Sequence, residues 1–357
     1  MFSQEHKHEK AIESFKKALE LTDEFKEEIL IDLAFEYENA EQYPKAIVCL
    51  KEVLSFNPEN EAAIYEMTYC YGQINKVEES IDFLNKFLEA HPYSFTAWYN
   101  LGNAHSSIGL HEKAIFAYDY CTVIDESFSS AYFNSANSYV ALKQFEEAIA
   151  LYKKTIEFEA PQAITLNYIG ECYEKLEQFE EAEKYFKQAL EIDNDFADAW
   201  IGLAIAKDNL NQEKESIGLI EQAINLKPDV VDYWHLYAES LIKNNRIEDA
   251  DVAYLKAIDL NESKHIQLLL DYSEFKLSHD SLEAAANFLF DIEEDIANYK
   301  IFYRLTALSL KNGKINDALN VLAHALYENK KELHLLTDYY PEALSFDEVN
   351  TLIEQFK

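Results

Sequence analysis

Residues 94–110, SFTAWYNLGNAHSSIGL, and 111–124, HEKAIFAYDYCTVI, decide how this chain folds. In both stretches apolar residues recur at i, i+3, i+4 and i+7, the spacing of one buried helical stripe. The spacing predicts two amphipathic helices joined by a tight turn. The nine residues AWYNLGNAH at 97–105 also look like a site, because aromatics, a glycine and two asparagines crowd together there.

Stepping by 34 from Ala114 in both directions reaches Ala46, Ser80, Ala148, Ala182, Ser216, Ala250, Ala284 and Ala318, every one of them small. Four residues after each stand Leu50, Leu84, Tyr118, Tyr152, Phe186, Ile220, Tyr254, Phe288 and Leu322, all large and apolar. Gly102, Ala136, Gly170, Ala204 and Ala238 share one place in the first helix of successive units. Small side chains at facing positions let two helix backbones approach, and the large residues fill the space beside them. The chain therefore reads as nine 34-residue units over 27–332 without an insertion.

Trp98-x2-Leu101-Gly102-x2-His105, followed by Ala114-x3-Tyr118, resembles the tetratricopeptide repeat family, and the resemblance covers nearly the whole chain. Pro58, Pro92 and Pro228 fall where the second helix of a unit must stop. The resemblance implies an all-α fold, a right-handed α-solenoid of antiparallel helix pairs, as a single array over 1–357. Within it, residues 1–26 hold a half-repeat, with Ala11, Phe15 and Ala18 in second-helix places. That half-unit either caps the stack or continues a longer array. Residues 333–357 read as capping helices, as terminal repeats require. One unit, 265–298, breaks the pattern: Asp271 and Tyr272 stand in place of Leu and Gly, and Asp291 in place of a small residue, which predicts altered packing there.

Composition narrows the function. With 31 basic against 66 acidic residues the formal charge is −35, spread along the whole chain. Such a surface repels phosphate backbones and anionic membranes, so neither nucleic acid nor membrane insertion is expected. Arg246 and Arg304 are the only arginines, which leaves little for bidentate recognition of anions. Cys49, Cys70, Cys121 and Cys172 lie far apart without metal-ligand spacing, so buried reduced thiols and a cytoplasmic location are expected.

GxGxxG, GxxxxGK[ST], HExxH and GxSxG are all absent, and no enzymatic activity, cofactor or metal is expected. His6 and His8, beside Glu5 and Glu9, read as terminal surface residues, and His105 reads as a packing residue at a core position. Glu177, Glu180, Glu181 and Glu183 follow helix-surface spacing, with Lys184 and Lys187 as neighbours one turn on.

The resemblance implies binding on the concave face, which first helices line. The candidate positions hold Tyr65 and Tyr69; Tyr99, Asn100 and Asn103; Phe133, Asn134 and Asn137; and Asn167, Tyr168 and Glu171. Asn amides donate to and accept from an extended backbone, while aromatic rings offer flat apolar contact. Family members that clamp the C-terminal carboxylates of heat-shock chaperones need three basic residues beside two asparagines. Asn103 and Asn134 match here, but Tyr99, Ile164 and Tyr168 replace the bases, which argues against that ligand. Asp198, Asp208, Asp232 and Glu239 make the later units suited to a basic segment. The expected function is a non-enzymatic scaffold for a peptide or protein partner. The alternative is the repeat array of a larger enzyme or signalling protein.

Overall fold

A computed structural model of the protein describes residues 2–21, 25–260, 265–293 and 296–356, with side chains from residue 7 onward and Glu293 excepted. The described residues are helical with short turns and no strand. They fall into two compact units, Met1–Asn194 and Asp195–Lys357.

The first unit carries α1 (Phe2–Leu21), α2 (Lys26–Asn39), α3 (Tyr43–Phe56), α4 (Glu61–Gln73), α5 (Val77–Ala90), α6 (Phe95–Ser107), α7 (His111–Ile124), α8 (Ser129–Ala141), α9 (Phe145–Phe158), α10 (Ala163–Lys175) and α11 (Phe179–Ile192). The second carries α12 (Ala197–Asn209), α13 (Glu213–Leu226), α14 (Val231–Lys243), α15 (Ile247–Asp259), α16 (Ile266–His279), α17 (Leu282–Glu293), α18 (Tyr299–Lys311), α19 (Ile315–Asn329), α20 (His334–Tyr339) and α21 (Asp347–Gln355). Within each unit consecutive helices pack on one another, α1 to α11 in the first and α12 to α19 in the second, and first helices of neighbouring repeats also meet, as α4 with α6 and α6 with α8. Ile12 of α1 joins the core that Leu30, Leu33 and Leu50 build, so the half-repeat is packed, not dangling. At the other end Leu336 of α20, Ala343 of the turn Pro341–Ser345 and Val349 of α21 are buried. No described helix is long and apolar enough to cross a membrane.

The 34-residue period is written into the backbone. Glu41, Asn75, Gly109, Lys143, Glu177, Asn211, Asn245 and Gly313 all have positive φ, each just past a first helix. The next amide donates back over the turn, as Leu110 N to His105 O at 2.9 Å and Gln178 N to Tyr173 O at 2.9 Å. This is the Schellman closure, in which a left-handed residue lets the chain satisfy an orphan carbonyl at a helix end. Between repeats, Trp98 Nε1 donates to Pro92 O and Trp234 Nε1 to Pro228 O, both at 2.9 Å, which ties each of these helices to the turn before it.

The helix seam depends on size matching. A Cβ on Gly102 would lie 2.4 Å from Tyr118 Cε1, and one on Gly170 would lie 2.7 Å from Phe186 Cε1. Gly218, exposed within α13, faces open space. Gly218→Ala is therefore expected to stabilise the protein by about 0.5–1 kcal/mol, the helix-interior difference between the two residues. Gly102→Ala should lose about 1–2 kcal/mol by overpacking, because the Tyr118 hydroxyl is anchored to Asn103 at 2.7 Å and the ring cannot slide away. Urea unfolding of both variants checks the opposite signs.

The unit at 265–298 departs from the even spacing expected of it. Its buried second-helix residues are Ala285, Ala286 and Leu289, with Ala285 and Leu289 one place later than the period demands, while Ala284 and Phe288 are only partly covered. In α16, Tyr272 (2% exposed) takes the leucine place and Ser273 (0%) the small place, which leaves Asp271 off the seam. Ile292 packs into the core where Asp291 would have been. The repeat is shifted by one residue, and the turn after it is rebuilt. His279 stays helical, and its Nδ1 lies 3.1 Å from Phe275 O, the carbonyl that a Schellman amide serves in the other units.

Candidate protein-binding face

In the first unit α4, α6, α8 and α10 each present one side away from their second-helix partners. Three cavities follow one another along this side. A cavity of about 210 Å³ is bounded by Tyr65, Thr68, Tyr69, Asn100 and Asn103 among others. The next, about 280 Å³, is bounded by Tyr99, Phe133, Asn134 and Glu159, among others. The third, about 240 Å³, lies among Asn137, Tyr152, Tyr168, Glu171 and Lys175. Each is smaller than the roughly 300–1,000 Å³ of ordinary small-molecule sites. Of the concave-face positions expected from the sequence, only Asn167 borders none of the three.

The side chains differ in what they offer. Tyr65 and Tyr69 are 53% and 44% exposed and stand open to solvent. Tyr99, Asn103 and Asn134 form a closed network instead. Asn134 Nδ2 donates to Tyr99 Oη and to Asn103 Oδ1, both at 2.9 Å, and Tyr118 Oη donates to the same Asn103 oxygen. One repeat further on, Tyr152 Oη donates to Asn137 Oδ1 at 2.5 Å, and the rings of Phe133 and Tyr168 lie 5.9 Å apart. Burial raises the pKa of Tyr99, Tyr118 and Tyr152, which keeps all three hydroxyls protonated at neutral pH.

Two asparagines are not the outward groups that the periodicity places there. Asn100 is 3% exposed and its Nδ2 donates to Thr96 O, on the preceding turn of α6, at 2.9 Å. Asn167 is 1% exposed and donates to Glu171 Oε1 at 2.6 Å. On a helix these positions sit at the edge of the seam, where a short amide is swallowed more easily than a tyrosine. The tyrosines of the second helices, Tyr118 and Tyr152, are the partners that the period alone did not attach to the face. Their polar ends were the available signal, since a buried tyrosine hydroxyl needs an acceptor.

Other expectations meet mixed outcomes. His105 is buried, and burial lowers its pKa, as fits a packing histidine. The Glu5 and His6 side chains lie outside the described residues, whereas His8 Nδ1 pairs with Glu36 Oε2 at 2.7 Å. Cys49, Cys70, Cys121 and Cys172 are free and buried. Lys184 and Lys187 meet Glu181 and Glu183 at 3.2 and 2.6 Å along α11. In the second unit Asp198 and Asp208 are engaged by Lys227 and Lys243, so that stretch is less open to a basic segment than its composition implies.

Glu38 of α2 and Glu66 of α4 form a carboxyl pair. Burial pushes Glu38 up to about 7, a hydrogen bond with Cys70 (Sγ to Oε1, 3.3 Å) opposes this, and the charge of Glu66 adds to it. A carboxyl with a folded pKa above its unfolded value contributes stability that is complete below the unfolded pKa. That contribution is lost as pH rises through the folded pKa, here between about 4.5 and 7. Glu38→Gln, which stays neutral, should therefore gain on the wild type by about 1 kcal/mol between pH 5 and pH 8. The figure is kept small because the group is partly solvated. Urea unfolding at the two pH values measures the difference.

Comparison with known proteins agrees with the repeat fold. Tetratricopeptide repeat models match residues 127–195, 173–240, and both 95–127 and 231–264. The chain belongs to the tetratricopeptide repeat family. Among solved structures it is similar to a tetratricopeptide repeat protein from Parabacteroides merdae, at 16% identity and TM-score 0.51 over 68% of this chain and 97% of that one. It is similar too to the C-terminal part of a repeat-containing protein from Cytophaga hutchinsonii, at 15% identity and TM-score 0.52 over 66% and 96%. No curated protein matches the sequence.

Proposed function

We propose that this protein is an interaction scaffold that holds an extended protein segment along α4, α6, α8 and α10. The row of three small cavities carries this reading. Successive pockets of this size suit successive side chains of one strand better than they suit one compact ligand. Tyr65 and Tyr69 supply open aromatic surface at one end. The Tyr99–Asn103–Asn134 network is already ordered before a partner arrives, which lowers the entropy lost on binding. The formal charge of −35 favours a segment carrying Lys or Arg, through faster encounter more than through tighter contact.

The test pairs identification with site-specific contact. A photo-crosslinking residue at Tyr65 or Phe133 should capture one partner from the native organism, and the same residue at Val252 should not. A peptide covering the captured segment should then bind Tyr65→Ala/Tyr69→Ala at least about tenfold more weakly than wild type, since loss of a tyrosine hot spot costs about 2 kcal/mol or more. Equal affinity for the two proteins removes this face from the binding surface.

A further inference from the structure

The repeat geometry that assembles Tyr99, Asn103 and Asn134 occurs again in the second unit with different chemistry. Two residues one turn apart on a first helix meet one residue of the next first helix. Here these are His235 and Glu239 of α14 and Asp271 of α16. Asp271 reaches this place only because α16 is shifted by one residue, so that the aspartate leaves the seam and joins the face. His235 Nε2 lies 3.1 Å from Asp271 Oδ2 and 3.8 Å from Glu239 Oε1, and the ligand atoms of all three lie within 4.8 Å of one another.

Three details distinguish this cluster from a surface ion pair. The His235 side chain is only 12% exposed. Its Nε2 is buried and makes no hydrogen bond of normal geometry despite the short approach to Asp271. Gln267 Nε2 donates to Asp271 Oδ1 at 2.8 Å, which fixes the carboxylate and turns its other oxygen toward the histidine. A ligand carboxylate oriented by a second hydrogen bond is the usual support of a metal site.

We propose that His235, Glu239 and Asp271 bind a zinc(II) ion that bridges α14 and α16. One imidazole nitrogen with two carboxylates is a borderline donor set. It suits zinc, whereas magnesium and calcium take oxygen ligands. Two anionic carboxylates neutralise the ion. Tetrahedral zinc bonds of about 2.0–2.2 Å set donor atoms about 3.4 Å apart, so the His235–Asp271 pair need only open slightly while the half-exposed Glu239 side chain swings inward. Three protein ligands leave a fourth position for water or for a donor atom of a bound segment.

Calorimetric titration of the full chain with zinc chloride at neutral pH, after removal of metal with a chelator, tests the site. One equivalent should bind. His235→Gln and Asp271→Asn should each weaken binding at least about tenfold, while Gln267→Met, at an exposed position that keeps all three ligands, should weaken it by about the same factor or less. Circular dichroism and thermal unfolding of the variants without metal establish that each is folded. Cobalt(II) should give visible absorption bands with wild type that His235→Gln abolishes, and magnesium should not compete. No zinc binding by wild type, or undiminished binding by folded His235→Gln, overturns the assignment, since any ion then sits elsewhere.

Discussion

Phe186→Ala is expected to lower the unfolding free energy by about 3–5 kcal/mol. The ring is 0% exposed on α11 and lies directly over Gly170 of α10. The lost area accounts for about half of such a figure, and the cavity left behind supplies the remainder. This site is poorly able to close, because the buried neighbours on the same helix, Ala182 and Ala189, are small and Gly170 has no side chain to lean in. A double-mutant cycle sharpens the test. Gly170→Ala on its own drives a methyl to 2.7 Å from the Phe186 ring and should be destabilising. In the Phe186→Ala background the same methyl enters the cavity, and with the gain in helix propensity it should return about 1–2 kcal/mol. A change of sign is the prediction; additive effects of the two substitutions by urea unfolding reject the size-matching account.

That pair also shows why the fold was readable. Small and large residues alternate across each seam because two helix backbones can approach only where one side chain is nearly absent, so packing leaves a period in the amino acids themselves. The turns were not readable in the same way. Gly109, Gly313, Asn75, Asn211 and Asn245 suit the left-handed place by residue type, whereas Glu41, Lys143 and Glu177 adopt it under the pull of the backbone closure around them. Residue type therefore marks some of these turns and not the others. The shifted repeat was hidden for a different reason. Ala284, Ala285 and Ala286 follow one another, and Phe288 is followed by Leu289, so the small-then-large pattern is satisfied in either register. Asp271 at a leucine place, with Tyr272 and Asp291 at small places, signalled a departure but not its direction, and its consequence, a carboxylate delivered to the face beside His235, follows only from the packing of α14 and α16. On the candidate face, tyrosines could be placed from spacing because they are too large to hide, but Asn100 and Asn167 could not. A single turn of the side chain decides whether an amide faces the solvent or its own helix.

The second unit holds a charge whose removal separates pairing from packing. Arg304 on α18 is 5% exposed, its guanidinium lies 5.0 Å from the centre of the Tyr339 ring, and it is hydrogen-bonded to Glu274 of α16. Its Nε is buried without a partner, so Glu274 supplies the anionic part of its coordination. Glu274→Ala is expected to cost about 2 kcal/mol. Breaking a fully buried pair costs about 3–5 kcal/mol, and the Glu274 side chain, 58% exposed, has part of its charge already in water. The loss arises less from the missing attraction than from the guanidinium left buried with only an aromatic face against it. Arg304→Met in the Glu274→Ala background removes that stranded charge while keeping most of the apolar volume against Tyr339, and should bring stability back to within about 1 kcal/mol of wild type. Arg304→Lys should not substitute for arginine, because a compact ammonium neither stacks flat on Tyr339 nor spans the same bonds. If the Glu274→Ala and Glu274→Ala/Arg304→Met proteins unfold at the same urea concentration, the cost lies in lost packing at α16 and not in an unpaired buried charge.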